Sequence, residues 1–310
     1  MSAVLRVVAA GPQITVQDAG RPGLMRFGIP RSGPMDLGAF ALACAAVGGA
    51  AAVEVSRGGL VVDCVAGVAG FAVAGGGFIL RHAGRKTVSW TRGTIRVGER
   101  LEIGPGFWGS WCYLAFAEIG AEAWMGAVAT HAPSGLGAGA LRAGQVLQVA
   151  GEARDGALSC PAWARPRQRV RVVMGPQDRF FGPELQAAFR GDLFRVTDAG
   201  DRMGVRLRGP LLPPEGALSI PSEPILRGSV QVSGDGVATV LMADHQTTGG
   251  YPKIATVIGA DLDGFAQLRP RDSVAFVPVS PEAAVGAARV LAMAQATALR
   301  AAAAGGAARG

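Results

Sequence analysis

The two halves of this 310-residue chain repeat one ordered pattern. A β-rich run leads into Gly-Pro-Gln and then into Val-x-Asp-Ala-Gly with an Arg close behind, first over residues 7–21 and again over residues 172–202. Two matches in the same order indicate a duplicated domain, because self-similarity along a chain signals repeated structural units. The alternative is that Gly-Pro and Asp-x-Gly recur only as common turn sequences. Duplication would limit the chain to two similar units.

Short strands are predicted in both halves. The 47 Gly and 19 Pro residues indicate many turns. Gln231 between Val230 and Val232 shows the alternation of a half-buried strand, and Gly-Asp-Gly at 234–236 supplies a hairpin turn. The predicted strands are 53–55, 60–63, 70–74, 94–97, 101–103, 218–220, 229–232, 239–243 and 274–277. We therefore predict a mainly β fold.

Few helices are predicted. They cover 35–47, ended by Gly48-Gly49, a short segment around 184–189, and a C-terminal helix from Pro281 with Ser280 as its N-cap. The polar and Pro/Arg-rich stretch over 151–168 interrupts the strand pattern. We predict domains over 1–160 and 161–280, followed by a helix and an Ala/Gly-rich, fraying tail over 281–310.

Composition narrows the class of protein. With 49% hydrophobic and 17% charged residues the chain can bury a core. The net charge of +7 comes from scattered Arg and Lys, without a basic stripe interleaved with aromatic residues, so we do not expect nucleic-acid binding. It fits an acidic substrate, an acidic partner subunit or an Arg-rich proteome equally well. The four cysteines form no C-x-x-C pair and indicate reduced core residues.

The start of the chain bears on its location. Met1 is followed directly by strand-like sequence rather than by a leader segment, and no apolar stretch of 18 residues occurs. We expect a cytoplasmic protein with no membrane association.

The densest cluster of functional side chains is residues 243–253, after the apolar strand 239–242. Gly249 and Gly250 would let backbone N–H groups approach an anion or an amide oxygen. We expect Lys253 at an accessible turn, where it would supply positive charge, with Asp244 and Thr247 fixing its surroundings. The alternative is a polar hairpin loop capped by its own threonines.

A second cluster covers residues 15–23 and 30–36. Asp18 and Arg21 could pair with each other across a turn, or could bind an amide or carboxylate. Of these two interpretations, we favour a structural salt bridge between Asp18 and Arg21 over a binding role. Asp201 and Arg202, at the corresponding turn of the second half, have the same two interpretations.

Other chemistries lack their motifs. His82, His131 and His245 have no partners at metal-ligand spacing, so no metal is expected. There is no P-loop, because Gly75-Gly76-Gly77 lacks the Lys-Ser/Thr continuation, and no G-x-S-x-G elbow or Met-Lys-Met biotinylation loop. We expect this chain alone to bind no cofactor and to perform no ATP chemistry.

Three ordered motifs cover most of the chain. They are Thr15-Val16-Gln17-Asp18-x-Gly20-Arg21-Pro22-Gly23 with Pro34-Met35-Asp36, Asp201-Arg202-Met203-Gly204-x-Arg206-Leu207-x-Gly209-Pro210, and Gln246-Thr247-Thr248-Gly249-Gly250-Tyr251-Pro252-Lys253. With these motifs, residues 4–280 resemble the allophanate hydrolase subunit 2 family of biotin-dependent carboxyltransferases, which includes the C-type subunit of 5-oxoprolinase and KipA.

The resemblance implies two cyclophilin-like β-barrel domains in a hetero-oligomer. The implied partner is a subunit 1 homologue (KipI-like, the B-type subunit of 5-oxoprolinase), joined by a lamB/YcsF-type subunit, with ATP or carboxybiotin supplied through partners. The implied reaction is ATP-dependent hydrolysis of 5-oxoproline, or carboxyl transfer to urea in a urea carboxylase-type system. A KipA-like regulatory protein that binds a kinase inhibitor is a third alternative.

The candidate site follows from the two clusters and the resemblance. Lys253, Asp244 and Thr247 are the candidate catalytic residues. The candidate residues for binding a small amide substrate are Gln17, Asp18, Arg21, Ser32, Asp36, Asp201, Arg202, Gln246, Thr248, Gly249, Gly250 and Tyr251. The chain departs from the family pattern at Gly200, Val205, Pro224, 118–119 and 126–130, which leaves a different amide substrate open.

Overall fold

The computed structural model describes residues 1–152, 155–216 and 220–305. The chain divides into two compact units. Unit 1 comprises Met1–Arg21, Ser32–Arg165 and the chain from Met293, and unit 2 comprises Pro22–Arg31 and Pro166–Ala292. The units therefore differ from the predicted ranges 1–160, 161–280 and 281–310. Residues 22–31 belong to unit 2, and the chain from Met293 belongs to unit 1. As domain bounds, those ranges stay a prediction.

Unit 1 is built on one twelve-stranded sheet. Its strands are β1 (Ser2–Ala10), β2 (Thr15–Gln17), β3 (Ala52–Ser56), β4 (Leu60–Ala74), β5 (Ile79–His82), β6 (Arg85–Val88), β7 (Thr91–Arg96), β8 (Arg100–Gly104), β9 (Trp111–Ala115), β10 (Glu118–Ile119), β11 (Val146–Ala150) and β12 (Gly156–Ala157). A path β10-β11-β1-β4-β8-β5-β6 runs through the sheet. The valine-rich strands fill its core, which suits β-branched side chains.

The long strand β4 joins two parts of this sheet. Its first part pairs with β1 and β8, and its last residues pair with β7 and β9. Gly67 lies where the partners change, with φ +74°, and a Cβ there would lie 2.1 Å from the carbonyl oxygen of Ser2. Only glycine tolerates both the conformation and the approach. The strands predicted over 60–63 and 70–74 are therefore one strand.

Unit 2 closes into a seven-stranded barrel in the order β13-β20-β17-β18-β15-β14-β21. The strands of the unit are β13 (Arg169–Met174), β14 (Phe194–Gly200), β15 (Gly204–Arg208), β16 (Glu223–Pro224), β17 (Ser229–Val232), β18 (Ala238–Leu241), β19 (Thr248–Gly249), β20 (Lys253–Val257) and β21 (Ser273–Pro278). The short strands β16 and β19 pair outside the barrel. The Gly-Asp-Gly turn joins β17 to β18, as predicted.

Within the described residues, four α-helices accompany the strands: α1 (Leu37–Val47), α2 (Pro183–Gly191), α3 (Gly259–Ala266) and α4 (Pro281–Ala304). In unit 2, Phe189 of α2 stacks on Phe276 of β21 with ring centroids 4.6 Å apart. Three helices match predicted segments, whereas α3 was missed. A run of only eight residues with Gly at its start and again near its end carries little helical signal.

The mainly β prediction with two barrel-type units is confirmed, with a closed barrel in unit 2 and a half-barrel sheet in unit 1. The strand predicted over 218–220 falls mostly on residues outside the described ones. The predicted fraying tail is helical through Ala304, and residues 306–310 lie outside the described range.

The cysteines are free, with Cys44, Cys64 and Cys112 buried and Cys160 half-buried. Burial raises the pKa of the Cys44 thiol to about 12. Among the described residues, no helix has the length and apolar character needed to cross a membrane.

Candidate functional site

A cleft of about 580 Å³ crosses adjacent strands of the unit 2 barrel. Its lining includes Gly204 and Arg206 of β15, Gln231 of β17, and Thr239 and Leu241 of β18. Successive residues of a strand point to opposite faces, so the fully buried Val230, Val232 and Val240 lie on the other face. The cleft also takes in residues from two of the predicted motifs: Asp201, Gln246 and Tyr251.

Lys253 lies in strand β20 and is only 2% exposed. Its Nζ atom is 2.5 Å from Oε1 of Glu223, in an ion pair whose angles fall outside those of a hydrogen bond. The prediction of an accessible lysine at a turn is therefore wrong. Strand β20 begins at Lys253, which pairs with Gln231 of β17. Lys253 therefore belongs to the barrel and not to the loop that precedes it.

Glu223 reaches this lysine because β16 pairs with β19, which sets Glu223 opposite Gly249. Its side chain is 38% exposed, so the pair has one buried and one accessible member. The Lys253 ammonium, and next the Gln177 amide, hold the pKa of Glu223 below its usual range. The carboxylate is thus kept ionised against a buried cation.

Gln177 holds both members of the pair. Its Nε2 donates to Oε1 of Glu223 at 2.5 Å, and its Oε1 accepts from the backbone N–H of Lys253 at 3.1 Å. Its own backbone N–H donates to the Lys253 carbonyl at 3.0 Å. Gln177 is 4% exposed and fixes the strand and the acid together.

The two glycines of the loop permit close packing. A Cβ at Gly249 would lie 2.8 Å from Nε2 of Gln231, and one at Gly250 would lie 2.9 Å from the carbonyl of Ile220. Thr247 is half-buried, and its carbonyl accepts from the N–H of Ile225. Thr248 is exposed in β19. The binding roles predicted for these residues stay predictions.

Asp244 and Arg202 form a buried ion pair. Nε and Nη2 of Arg202 donate to Oδ2 and Oδ1 of Asp244, each at 2.8 Å, and both side chains are nearly inaccessible. Asp201 instead accepts from the N–H of Met203 and so shapes its own turn. A carboxylate engaged on both oxygens by a guanidinium is better suited to holding two segments together than to proton transfer.

In unit 1, Asp18 and Arg21 both bind the segment 124–128. Oδ2 of Asp18 accepts from the N–H of Val128 at 2.8 Å, while Oδ1 accepts from the N–H of Gly20. Arg21 is 1% exposed and donates to the carbonyls of Trp124 and Ala127. The two side chains therefore hold a neighbouring loop.

Gln17, Ser32 and Asp36 are also buried in unit 1. Gln17 and Ser32 both donate to the carbonyl of Thr130, at 3.0 and 2.7 Å. Among the described residues, Oε1 of Gln17 and Oγ1 of Thr130 are buried without a hydrogen-bond partner, an arrangement in which a bound polar molecule would satisfy them.

Asp36 begins helix α1 by accepting from the N–H of Ala39 at 2.8 Å. Its own N–H donates to the hydroxyl of Tyr113, which donates to Glu54. Burial, with the negative charges of Glu54 and Asp36, raises the pKa of Tyr113 well above its usual value. Asp36 is thus tied into a buried network.

Three residues of this arrangement were missed from the sequence: Gln177, Glu223 and Gln231. Gln177 closes the repeated Gly-Pro-Gln, and Glu223 precedes Pro224, where the chain departs from the family pattern, so both had a signal. Gln231 had none, because a lone polar residue between valines indicates only a half-buried strand.

Among residues 1–152, 155–216 and 220–305, no three His, Cys, Asp or Glu side chains are grouped so that they could hold a metal ion. His245 places Nδ1 2.6 Å from the carbonyl of Gln246, and His131 accepts from the N–H of Ser134. The expectation that no metal is bound stays a prediction.

Residues 27–278 match the profile of the carboxyltransferase domain, subdomains A and B. The chain belongs to this family. Membership makes it an enzyme component, and it places the cleft, the Lys253 pair, Ser32 and Asp36 inside a carboxyltransferase-type domain, whereas Gln17, Asp18 and Arg21 precede the matched residues.

Three relatives show how the family uses this domain. The chain is 32% identical to the C-type subunit of 5-oxoprolinase from Escherichia coli K12, over 92% of this chain and 94% of that protein. It is 28% identical to urea amidolyase of Saccharomyces cerevisiae, over 90% of this chain but only 17% of that protein. The structure of Kluyveromyces lactis urea carboxylase superposes with a TM-score of 0.83 at 26% identity, over 96% of this chain and 29% of that one.

Proposed function

We propose that this chain is the C-type subunit of a multi-subunit 5-oxoprolinase, which opens the lactam 5-oxo-L-proline to glutamate with ATP. The observation that carries the proposal is the match to the C-type subunit of the E. coli enzyme along nearly the whole of both chains. A domain fused into a larger carboxylase would instead match a small part of its relative, as it does with urea amidolyase.

The Lys253 pair supplies the charge that such a reaction needs. When a lactam opens, its carbonyl oxygen gains negative charge, and donors already in place stabilise that charge best in a site shielded from water. The Lys253 ammonium is shielded, while Glu223 is accessible. A substrate oxygen that displaces Glu223 would meet a cation held in position by Gln177, so we assign Lys253 the catalytic charge.

Partners supply what this chain lacks. The sequence contains no P-loop and no biotinylation loop. We propose that ATP enters through a subunit 1 homologue (KipI-like, the B-type subunit of 5-oxoprolinase) and a lamB/YcsF-type subunit, and that this assembly is cytoplasmic. The E. coli and Haemophilus influenzae relatives are each named as one subunit of 5-oxoprolinase, which supports an assembly of several subunits.

A carboxyltransferase role is the second candidate, favoured by the superposition on urea carboxylase over 96% of the chain. Carboxyl transfer from carboxybiotin requires that the acceptor nitrogen lose a proton, and Glu223 beside Lys253 is an accessible carboxylate that could accept it. Its lowered pKa makes it a weak base for this step. The two reactions use one site on different atoms of a planar amide.

The proposal is tested on the complex assembled with its subunit homologues. Glutamate formed from 5-oxoproline with ATP hydrolysis supports it, whereas a carboxylated product that depends on a biotin carrier supports the second candidate. Stable binding to the subunit 1 homologue without turnover of either substrate would favour a KipA-like regulator and contradict both.

Lys253→Met sharpens the assignment. We expect kcat/KM to fall by about 100- to 1,000-fold, the usual loss when one charge-stabilising donor is removed. Lys253→Arg should restore part of it, since Arg keeps the charge but changes the donor geometry. Lys86, the other lysine of the chain, is exposed in β6, and Lys86→Met serves as the matched control.

Because Lys253 is buried, folding must be followed in parallel. Assembly measured by size-exclusion chromatography and the free energy of unfolding in urea separate lost chemistry from lost structure. If Lys253→Met assembles normally and keeps wild-type kcat/KM, the lysine has no catalytic role.

A further inference from the structure

A second cavity, of about 390 Å³, lies in unit 1 between β7 and the β5–β6 hairpin. Its volume is in the range of about 300–1,000 Å³ typical of small-molecule sites. Phe71 and Leu80 give it an apolar part, and Arg85, Arg92 and Arg96 give it a basic part. None of these residues lines the cleft of unit 2.

Arg92 is the unusual residue of this cavity because it is charged and only 8% exposed. Its Nη2 donates to the carbonyl of Gly305 at 3.1 Å, and its Nε is buried without a hydrogen-bond partner among the described residues. No carboxylate within the described parts of the chain forms an ion pair with it. A buried guanidinium is stable only when its charge and its N–H groups are matched, so this one lacks an anion.

The carboxylates at the cavity are occupied elsewhere. Oε2 of Glu99 lies 3.1 Å from Nε2 of His82 and accepts from the N–H of Arg96. Oδ1 of Asp155 accepts from the hydroxyl of Thr94 at 3.1 Å. Three guanidinium groups face two carboxylates in the lining, so the excess charge is positive. Such a field draws in an anion.

The apolar part has a fixed shape. A Cβ at Gly93 would lie 2.7 Å from the ring of Phe71, so the glycine leaves room for that ring. The ring also meets His82 edge to face, with centroids 5.4 Å apart. Phe71 lies opposite Gly93 and Arg92 lies opposite Ala72, so the ring and the guanidinium project from opposite faces of the sheet. The ring therefore shapes the wall of the cavity, while the arginines supply the charge that would hold an anion.

We propose that this cavity binds a small anion, a carboxylate or a phosphate ester, with its charge on Arg92. The site lies outside the proposed reaction centre. It is tested by binding alone, so its failure would leave the proposed function untouched.

The experiment is isothermal titration calorimetry of the full chain with phenyl phosphate, benzoate and inorganic phosphate. We expect saturable binding of at least one of these anions, and loss of affinity at high salt. Arg92→Gln should raise the Kd at least tenfold. Arg85→Gln, at an exposed position of the lining, should raise it by a smaller factor without disturbing the fold.

Arg81→Gln is the matched control, because Arg81 lies on the same hairpin, pairs with Glu102 and does not line the cavity. It should leave the Kd unchanged. Comparison of phenyl phosphate with benzoate identifies the preferred head group.

Three results would overturn the proposal. They are no saturable binding of any of the three anions at millimolar concentration, equal affinity in wild type, Arg92→Gln and Arg85→Gln, and binding that appears only after residues 306–310 are removed. The last would show that the chain itself fills the cavity.

Discussion

The two copies of Gly-Pro-Gln, one in each unit, end in glutamines with different surroundings. Gln13 follows β1, is half-buried and makes no side-chain hydrogen bond within the described residues. Gln177 follows β13, is 4% exposed and binds both Glu223 and Lys253. The same tripeptide therefore ends a strand in both units but supports a candidate site in only one.

The arginines of the repeated turns differ as well. Arg21 donates to the backbone carbonyls of Trp124 and Ala127, whereas Arg202 donates to the carboxylate of Asp244. The aspartates of Val-x-Asp-Ala-Gly differ too, since Asp18 accepts from the N–H of Gly20, whereas Asp198 is exposed and makes no side-chain hydrogen bond within the described residues. The repeated residues therefore do not make repeated contacts, because each contact depends on the chain that packs against the turn.

The largest effect is expected from breaking the Arg202–Asp244 pair. Arg202→Ala leaves a buried carboxylate without its guanidinium, which should lower the free energy of unfolding by about 3–5 kcal/mol. Urea unfolding measures it. Replacing both residues by apolar ones, Arg202→Met with Asp244→Leu, should recover much of the loss, because no buried charge remains.

The control for this effect is the exposed pair of Arg206 and Asp235 in the same barrel. Arg206→Ala should change the free energy of unfolding by about 0–1 kcal/mol, as exposed ion pairs do. If Arg202→Ala and Arg206→Ala lowered the free energy of unfolding equally, burial would not make the Arg202–Asp244 pair more important for stability than the exposed pair.

A smaller effect should separate the two glutamines. Gln177→Ala removes the acceptor of the buried Lys253 N–H and should lower the free energy of unfolding by about 1–3 kcal/mol. Gln13→Ala should change it by about 0.5 kcal/mol or less. The two variants remove the same side chain from the same tripeptide, so matching losses would contradict the structural difference between the units.

The smallest effect concerns pH. The pKa of Glu223 in the folded chain lies below its ordinary value of 4.5, so the carboxylate stabilises the fold above about that pH. This contribution is lost as the pH falls through the lowered folded pKa. The stability difference between wild type and Glu223→Gln should therefore be steady from neutral pH to about 4.5 and narrow below it.

Urea unfolding at a series of pH values checks this profile. Glu122 is exposed and forms no ion pair among the described residues, so Glu122→Gln is the control. A Glu223→Gln difference that widens on acidification would mean that the carboxylate does not benefit from Lys253.

Local sequence patterns were enough to predict much of the fold. Valine-rich alternation predicted β17 and β18 with their hairpin, and Ser280-Pro281-Glu282 predicted the start of α4. It was not enough for β4, where two apolar runs joined through Gly67 into one strand with four partner strands. Strand continuity depends on neighbours, and neighbours are distant in sequence.

The candidate site divides in the same way. Residue types singled out the loop over 243–253 and the turn at 201–202, and the cleft does take in Asp201, Gln246 and Tyr251. Residue types alone could not predict that Lys253 is buried or that Asp244 and Arg202 pair with each other. Burial and pairing depend on which strand packs over which side chain.

By itself the sequence determined the strand-rich composition, the repeated turns and the motifs that mark the family, since these express preferences of a few adjacent residues. Only the tertiary structure decided that Lys253 is buried against Glu223, that Gln177 holds them, and that Arg92 lacks an anion among the described residues. Burial and ion pairing are properties of groups that meet across the fold, so their energies are fixed only when the chain has closed around them.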